Sequence, residues 1–139
     1  MASKFRNAGQ TCVCANRFLV QRPAVEEFSK KFAEAVSGLK VGHGLDSGVT
    51  CGPLINAAAV SKVEAQVADC VGKGARIEVG GQKGDGNFFE PTVMVGGTKD
   101  MAPFTDETVI PLCIDSLAAS TRHCISRMLL WLLPFLASG

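Results

Sequence analysis

Between residues 23 and 38 apolar side chains recur at steps of three and four, at Val25, Phe28, Phe32, Ala35, Val36 and Leu39. Glu26 and Lys30, and Glu27 and Lys31, stand four apart on the other side. That spacing predicts an amphipathic helix, opened by Pro23 and closed by Gly38. A second helix is predicted from Asn56 as N-cap to Val71, with Val60, Val63, Val67 and Val71 on one stripe and Gly72 and Gly74 as stop signals. Short β-rich runs bounded by Gly, Pro or polar residues predict strands at Arg17–Gln21, Arg76–Val79 and Pro91–Val95. The order strand, helix, helix, strand, strand is an α/β pattern. After Leu112 the punctuation by strands and turns stops, and the run Met128–Ala137 is apolar but interrupted by Pro134.

Composition narrows the function classes. The chain has 139 residues, with 14 Lys and Arg against 13 Asp and Glu, a net charge of +1. No excess of positive charge marks it as a nucleic-acid or acidic-lipid binder. Charged residues at 19% and 15 glycines fit an ordered chain, and the apolar fraction of 47% suggests surface that something else covers. The apolar run near the end is about half of the ~20 residues that a membrane span needs. No membrane partner is expected. The start of the chain has no apolar signal region, so reduced, intracellular thiols are expected. The six cysteines, at 12, 14, 51, 70, 113 and 124, include no C-x-x-C pair. No metal is expected.

Two segments could carry chemistry. Gly42-x-Gly44-x-x-x-Gly48 superficially resembles a dinucleotide loop, but it follows a helix and leads to Cys51-Gly52-Pro53. A phosphate cradle instead follows a strand and opens a helix, so a glycine-rich connector is the expectation. The second segment is Lys4 to Arg17. Cys12 follows a small, flexible Gly9-Gln10-Thr11 approach and precedes a predicted strand, an arrangement that can present a thiolate on a turn. The alternative is that Cys12 is a buried small hydrophobe, the usual fate of a free cysteine.

Gly9-Gln10-Thr11-Cys12 resembles the nucleophile motif of the aldehyde dehydrogenase superfamily. The longer string Lys4-Phe5-Arg6-Asn7-Ala8-Gly9-Gln10-Thr11-Cys12-Val13-Cys14-Ala15-Asn16-Arg17 is similar to the succinate-semialdehyde dehydrogenase branch. The likeness continues through Gly52-Pro53-Leu54-Ile55, Lys73-Gly74-Ala75 and Asn87-Phe88-Phe89-Glu90-Pro91-Thr92, and ends near Pro111-Leu112.

The resemblance implies an incomplete aldehyde dehydrogenase catalytic domain of three-layer α/β/α type over residues 1–112, followed by an unrelated apolar tail, 113–139, that forms no domain. It implies Cys12 as nucleophile, adding to the aldehyde carbon, with hydride then passing to NAD or NADP and water releasing the acid. Arg6 would hold the substrate's distal carboxylate, a task suited to a bidentate, permanently charged guanidinium. The alternative for Arg6 is a solvated surface position. Glu107 would bind the nicotinamide ribose, although Val109 and Ile110 stand where the family pattern has Phe and Gly; otherwise it is one more exposed acid. Independently of the resemblance, Cys14 stands two residues from Cys12 and would pair with it in a reversible redox disulfide that needs a local turn, or simply pack. The upstream nucleotide-binding domain, the second oxyanion donor and the deacylating base lie outside this sequence, so the chain alone is expected to be inactive. A rival expectation is a non-catalytic thiol-redox or interfering fragment that associates with full-length subunits. Full-length relatives are expected to be homo-oligomers, cytoplasmic if bacterial and mitochondrial if eukaryotic.

Overall fold

The computed structural model describes residues 2–106 and 111–118. Glu107, Cys124 and the run Met128–Ala137 lie outside the described residues. The elements follow the order α1 (Ala2–Phe5), a 3-10 turn (Arg6–Gly9), β1 (Arg17–Gln21), α2 (Val25–Ser37), α3 (Ala57–Gly72), β2 (Arg76–Val79), β3 (Thr92–Val95), α4 (Ala102–Thr105) and β4 (Leu112–Ala118). The four strands form one sheet in the order β1-β4-β3-β2. β4 runs parallel to both β1 and β3, whereas β2 is antiparallel to β3.

Consecutive side chains of a strand point to opposite faces of the sheet. Val93 packs with Val36 and Phe5 under α2, with Phe18 and Phe32 against them. Met94 packs with Val60, Val63, Val67 and Cys70 of α3. The sheet is therefore covered on both faces, which explains why β3 is buried at three successive positions rather than at alternate ones. Among the described residues no helix is long and apolar enough to cross a membrane.

The helices form where their periodicity places them, with two shifts of face. In α2 Ser29 is buried and Ala35 exposed. Positions 25, 29, 32 and 36 follow the stripe, and Ser29 removes the cost of burying its hydroxyl by donating to the Val25 carbonyl at 2.7 Å. In α3 Cys70, not Val71, continues the stripe of Val60, Val63 and Val67, and Val71 is 48% exposed. The reason is the way the helix ends. Gly74 takes φ +95°, Ala75 N–H donates to the Cys70 carbonyl at 2.9 Å and Gly74 N–H to the Val71 carbonyl at 3.0 Å. This Schellman closure seats Ala75 beside Cys70 in the core. At the other end the Asn56 side chain accepts from Ala59 N–H at 2.8 Å, the expected N-cap.

The stretch after Leu112 departs from its reading as a segment without strands. Leu112–Ala118 is a strand in the middle of the sheet, between β1 and β3. Its sequence, LCIDSLA, alternates imperfectly, and only the two flanking strands select it. Gly42–Gly48 is a connector: it follows α2 and closes on itself, with Gly42 N–H on the Cys51 carbonyl and Thr50 N–H on the Lys40 carbonyl.

Candidate functional site

The loop from Lys4 to Asn16 is built around a sharp reversal. Asn7, Ala8 and Gly9 take φ of +52°, +52° and +74° in succession. For Ala8 this is a region that L residues rarely occupy, and it persists only where surrounding contacts enforce it. Here they do: Ala8 is buried in the α3 core cluster, and Gln10 N–H donates to the Asn7 carbonyl at 3.0 Å.

Gln10 is not a flexible approach residue. Its Nε2 donates to the carbonyls of Asn7 and Pro53, each at 3.3 Å, and its Oε1 accepts from Ile55 N–H at 2.9 Å. One amide thus joins the loop to the backbone of a segment more than 40 residues away. Beside this bridge lies a cavity of about 670 Å³ lined by Asn7, Gln10, Pro53, Leu54, Ile55 and Ala59.

Cys12 sits in the tight turn that follows, closed by Cys14 N–H on the Thr11 carbonyl at 2.9 Å. Its thiol is exposed, while Cys14, Cys51 and Cys70 are buried and all four are free. Burial pushes the Cys51 thiol up, and burial together with the neighbouring Asp69 carboxylate pushes Cys70 up to about 11. A thiol is nucleophilic as its thiolate, so burial suppresses these two by access and by ionisation alike. Cys14 points its Sγ at the Arg6 carbonyl, 3.9 Å away.

Arg6 is exposed at the entrance to the reversal, and its carbonyl also accepts from Thr11 Oγ1 at 3.3 Å. Arg6 and Cys12 therefore belong to one closed loop. Glu107 lies outside the described residues. At the loop's exit, Arg17 donates to the Phe104 carbonyl at 3.0 Å and stacks over its ring.

Three residues that hold this loop escape sequence reasoning: Lys4, Gln10 and Asn16. Lys4 is fully buried and its Nζ donates to Asn16 Oδ1 at 2.6 Å. No local pattern separates such a lysine from a surface one. Among the described residues no group of three or more His, Cys, Asp or Glu could hold a metal ion.

The chain matches the aldehyde dehydrogenase family over residues 1–128. It is 58% identical over 115 residues to the mitochondrial succinate-semialdehyde dehydrogenase of Mus musculus, covering 81% of this chain and 22% of that protein. To the NADP(+) succinate-semialdehyde dehydrogenase of Escherichia coli it is 52% identical over 114 residues, covering 81% and 24%. A 3-sulfolactaldehyde dehydrogenase of Pseudomonas putida is 53% identical over the same length and the same shares. Among solved structures, a succinate-semialdehyde dehydrogenase of Burkholderia pseudomallei superposes with a TM-score of 0.86 at 49% identity, over 90% of this chain and 26% of that one. The chain thus spans about a quarter of the length of these relatives.

Proposed function

From the premise that this chain belongs to the aldehyde dehydrogenase family, we propose that it is the nucleophile-bearing part of an NAD(P)-dependent oxidoreductase of the succinate-semialdehyde type. The observation that carries the reading is the exposed Cys12 in a turn held by the rest of its loop. Its thiolate adds to the aldehyde carbon, forming a C–S bond while the carbonyl π electrons move to oxygen. The Cys12 backbone N–H is the donor this chain offers to that oxyanion, a role fit for a preorganised amide. Arg6, tied to the Cys12 turn through its own carbonyl, holds a distal anionic group of the substrate. A carboxylate suits a guanidinium, and so does the sulfonate of the substrate for which one relative is named.

Oxidation of the thiohemiacetal needs a hydride acceptor, and family members use NAD or NADP. The described residues offer that nucleotide no cradle: the one glycine-rich run of suitable spacing, Gly42–Gly48, follows a helix and returns to Cys51 without opening another. The chain's proposed contribution is nucleophilic addition and substrate anchoring, with Glu107, outside the described residues, as the candidate holder of the nicotinamide ribose. Cys14, which bonds to the same carbonyl as Thr11, is the candidate partner of Cys12 in a disulfide, formed when a two-electron oxidant such as a peroxide removes both thiol hydrogens.

Limited labelling of the folded chain with iodoacetamide, followed by peptide mapping, tests this reading. Cys12 is expected to react first. Preferential labelling of Cys51 or Cys70 would overturn it.

A further inference from the structure

A lysine is almost never fully buried unless it is paired, because removing an ammonium from water is costly. Lys4 is 0% exposed, and its Nζ meets Asn16 Oδ1 at 2.6 Å. The two residues stand where the chain enters and leaves the loop that carries Arg6 and Cys12. An apolar side chain could fill the same space without a charge to desolvate. Phe5 beside it does so, packing on Phe32 with ring centroids 6.2 Å apart. Apolar contact is non-directional, however, and lets the two strands of a loop slide. A charge-assisted hydrogen bond fixes one atom against another.

Inside the loop the backbone bonds from Gln10 N–H to Asn7 and from Cys14 N–H to Thr11 each close a single turn rather than the neck, and the side-chain stitches are weaker. Thr11 Oγ1 reaches the Arg6 carbonyl at 3.3 Å and Cys14 Sγ reaches it at 3.9 Å. These are long bonds between uncharged donors and a carbonyl, and the thiol is a weak donor. The Lys4–Asn16 bond is shorter and carries a full charge.

We propose that Lys4 is a positioning residue: by clasping Asn16 it closes the neck of the loop and holds Arg6 and the Cys12 turn in one fixed relation. The inference rests on the reading of Cys12 as nucleophile and Arg6 as anion holder. The residue does not touch substrate and acts through the two that do.

The test uses the full chain, unaltered and as two variants, Lys4→Met and the double variant Lys4→Met with Asn16→Leu. The single change leaves the half-buried Asn16 amide without this partner, whereas removal of both polar groups of such a pair can be nearly neutral for stability. Three quantities are read: the melting temperature; amide hydrogen exchange at Cys14, with Ala75 as reference for the fold; and the ratio of Cys12 alkylation rates with iodoacetate and with iodoacetamide, against the same ratio for a cysteine in a short peptide.

In the double variant the melting temperature and Ala75 protection are expected to hold while Cys14 exchange rises by about tenfold, the effect of losing roughly 1.4 kcal/mol of loop closure. The iodoacetate preference of Cys12 is expected to exceed the peptide's in the unaltered chain and to fall to it in the double variant. Unchanged Cys14 exchange, or a preference that survives loss of the clasp, overturns the proposal. Unfolding of both variants also overturns it, since Lys4 would then be a folding residue. A preference in the unaltered chain no greater than the peptide's instead defeats the reading of Arg6, and Cys14 exchange still decides the clasp.

Discussion

At the scale of single residues, access and anchoring separate Cys12 from the other described cysteines. Cys12 is exposed on a turn, and Cys70 is fully buried with its thiol pushed up to about 11. In the proposed function Arg6 sets the substrate class, as the holder of the distal anionic group. With this segment in a complete enzyme, Arg6→Leu is expected to weaken use of an aldehyde bearing a distal carboxylate while sparing an uncharged aldehyde of similar length. A hydrogen bond to a charged group is worth about 1.5–3 kcal/mol, so the ratio of kcat/KM values shifts by roughly ten- to a hundredfold. Equal loss for both aldehydes would mean that Arg6 supports the loop rather than the substrate. Motif likeness pointed to both residues, and what it missed is the apparatus around them. Gln10 reads as a flexible approach in the sequence, yet its amide is fully engaged by two carbonyls and one N–H, because a segment distant in sequence is brought against it.

Among the elements, α3 shows how a helix end can be tied down from far along the chain. Asp69 Oδ2 accepts from Ala102 N–H at 2.8 Å, at the start of α4, and Asp69 pairs with Lys73 at 2.7 Å. The Lys73 ammonium first, and then the Ala102 N–H, hold the Asp69 carboxyl below its ordinary value. A carboxylate with a depressed value in the folded state stabilises the fold above its unfolded value, about 3.9, and loses that contribution as pH falls through the lower folded value. The urea midpoint of the unaltered chain is therefore expected to exceed that of Asp69→Asn by a constant gap above about pH 5. Below about pH 4 the gap should close. A gap independent of pH would remove the carboxylate from this account. Local signals were sufficient for the cap at Asn56 and the stop at Gly74, where the chemistry lies within one turn of the helix. They were insufficient for the face of α3, where Cys70 rather than Val71 is buried because the closing turn draws Ala75 inward.

For the whole molecule, the sheet decides what belongs together. β4 is the strand that joins β1 to β3 among the described residues, with Arg17 opposite Ile114 and Met94 opposite the same residue on the other side. A chain ending at Pro111 is expected to lose cooperative unfolding, since β1 would keep no partner strand and an isolated edge cannot satisfy its backbone groups. Circular dichroism during thermal melting checks this. A sharp transition like that of the full chain would show that the two helices suffice to hold the layers. The family match, which runs to residue 128, includes this strand.

The sequence alone determined what depends on short-range periodicity and chemistry: both long helices, β1 and β2 at their observed bounds, the N-cap at Asn56 and the motif around Cys12. Each of these follows from neighbours within a few residues, where side-chain spacing and backbone geometry leave few choices. Tertiary structure alone decided the central place of Leu112–Ala118, the exposure of Val71, the bridge from Gln10 to Pro53 and Ile55, and the burial of Lys4 against Asn16. A strand without clear alternation is selected by the edges it pairs with. A lysine is buried only where the fold brings an acceptor to its ammonium, and neither partner is written in the residues beside it.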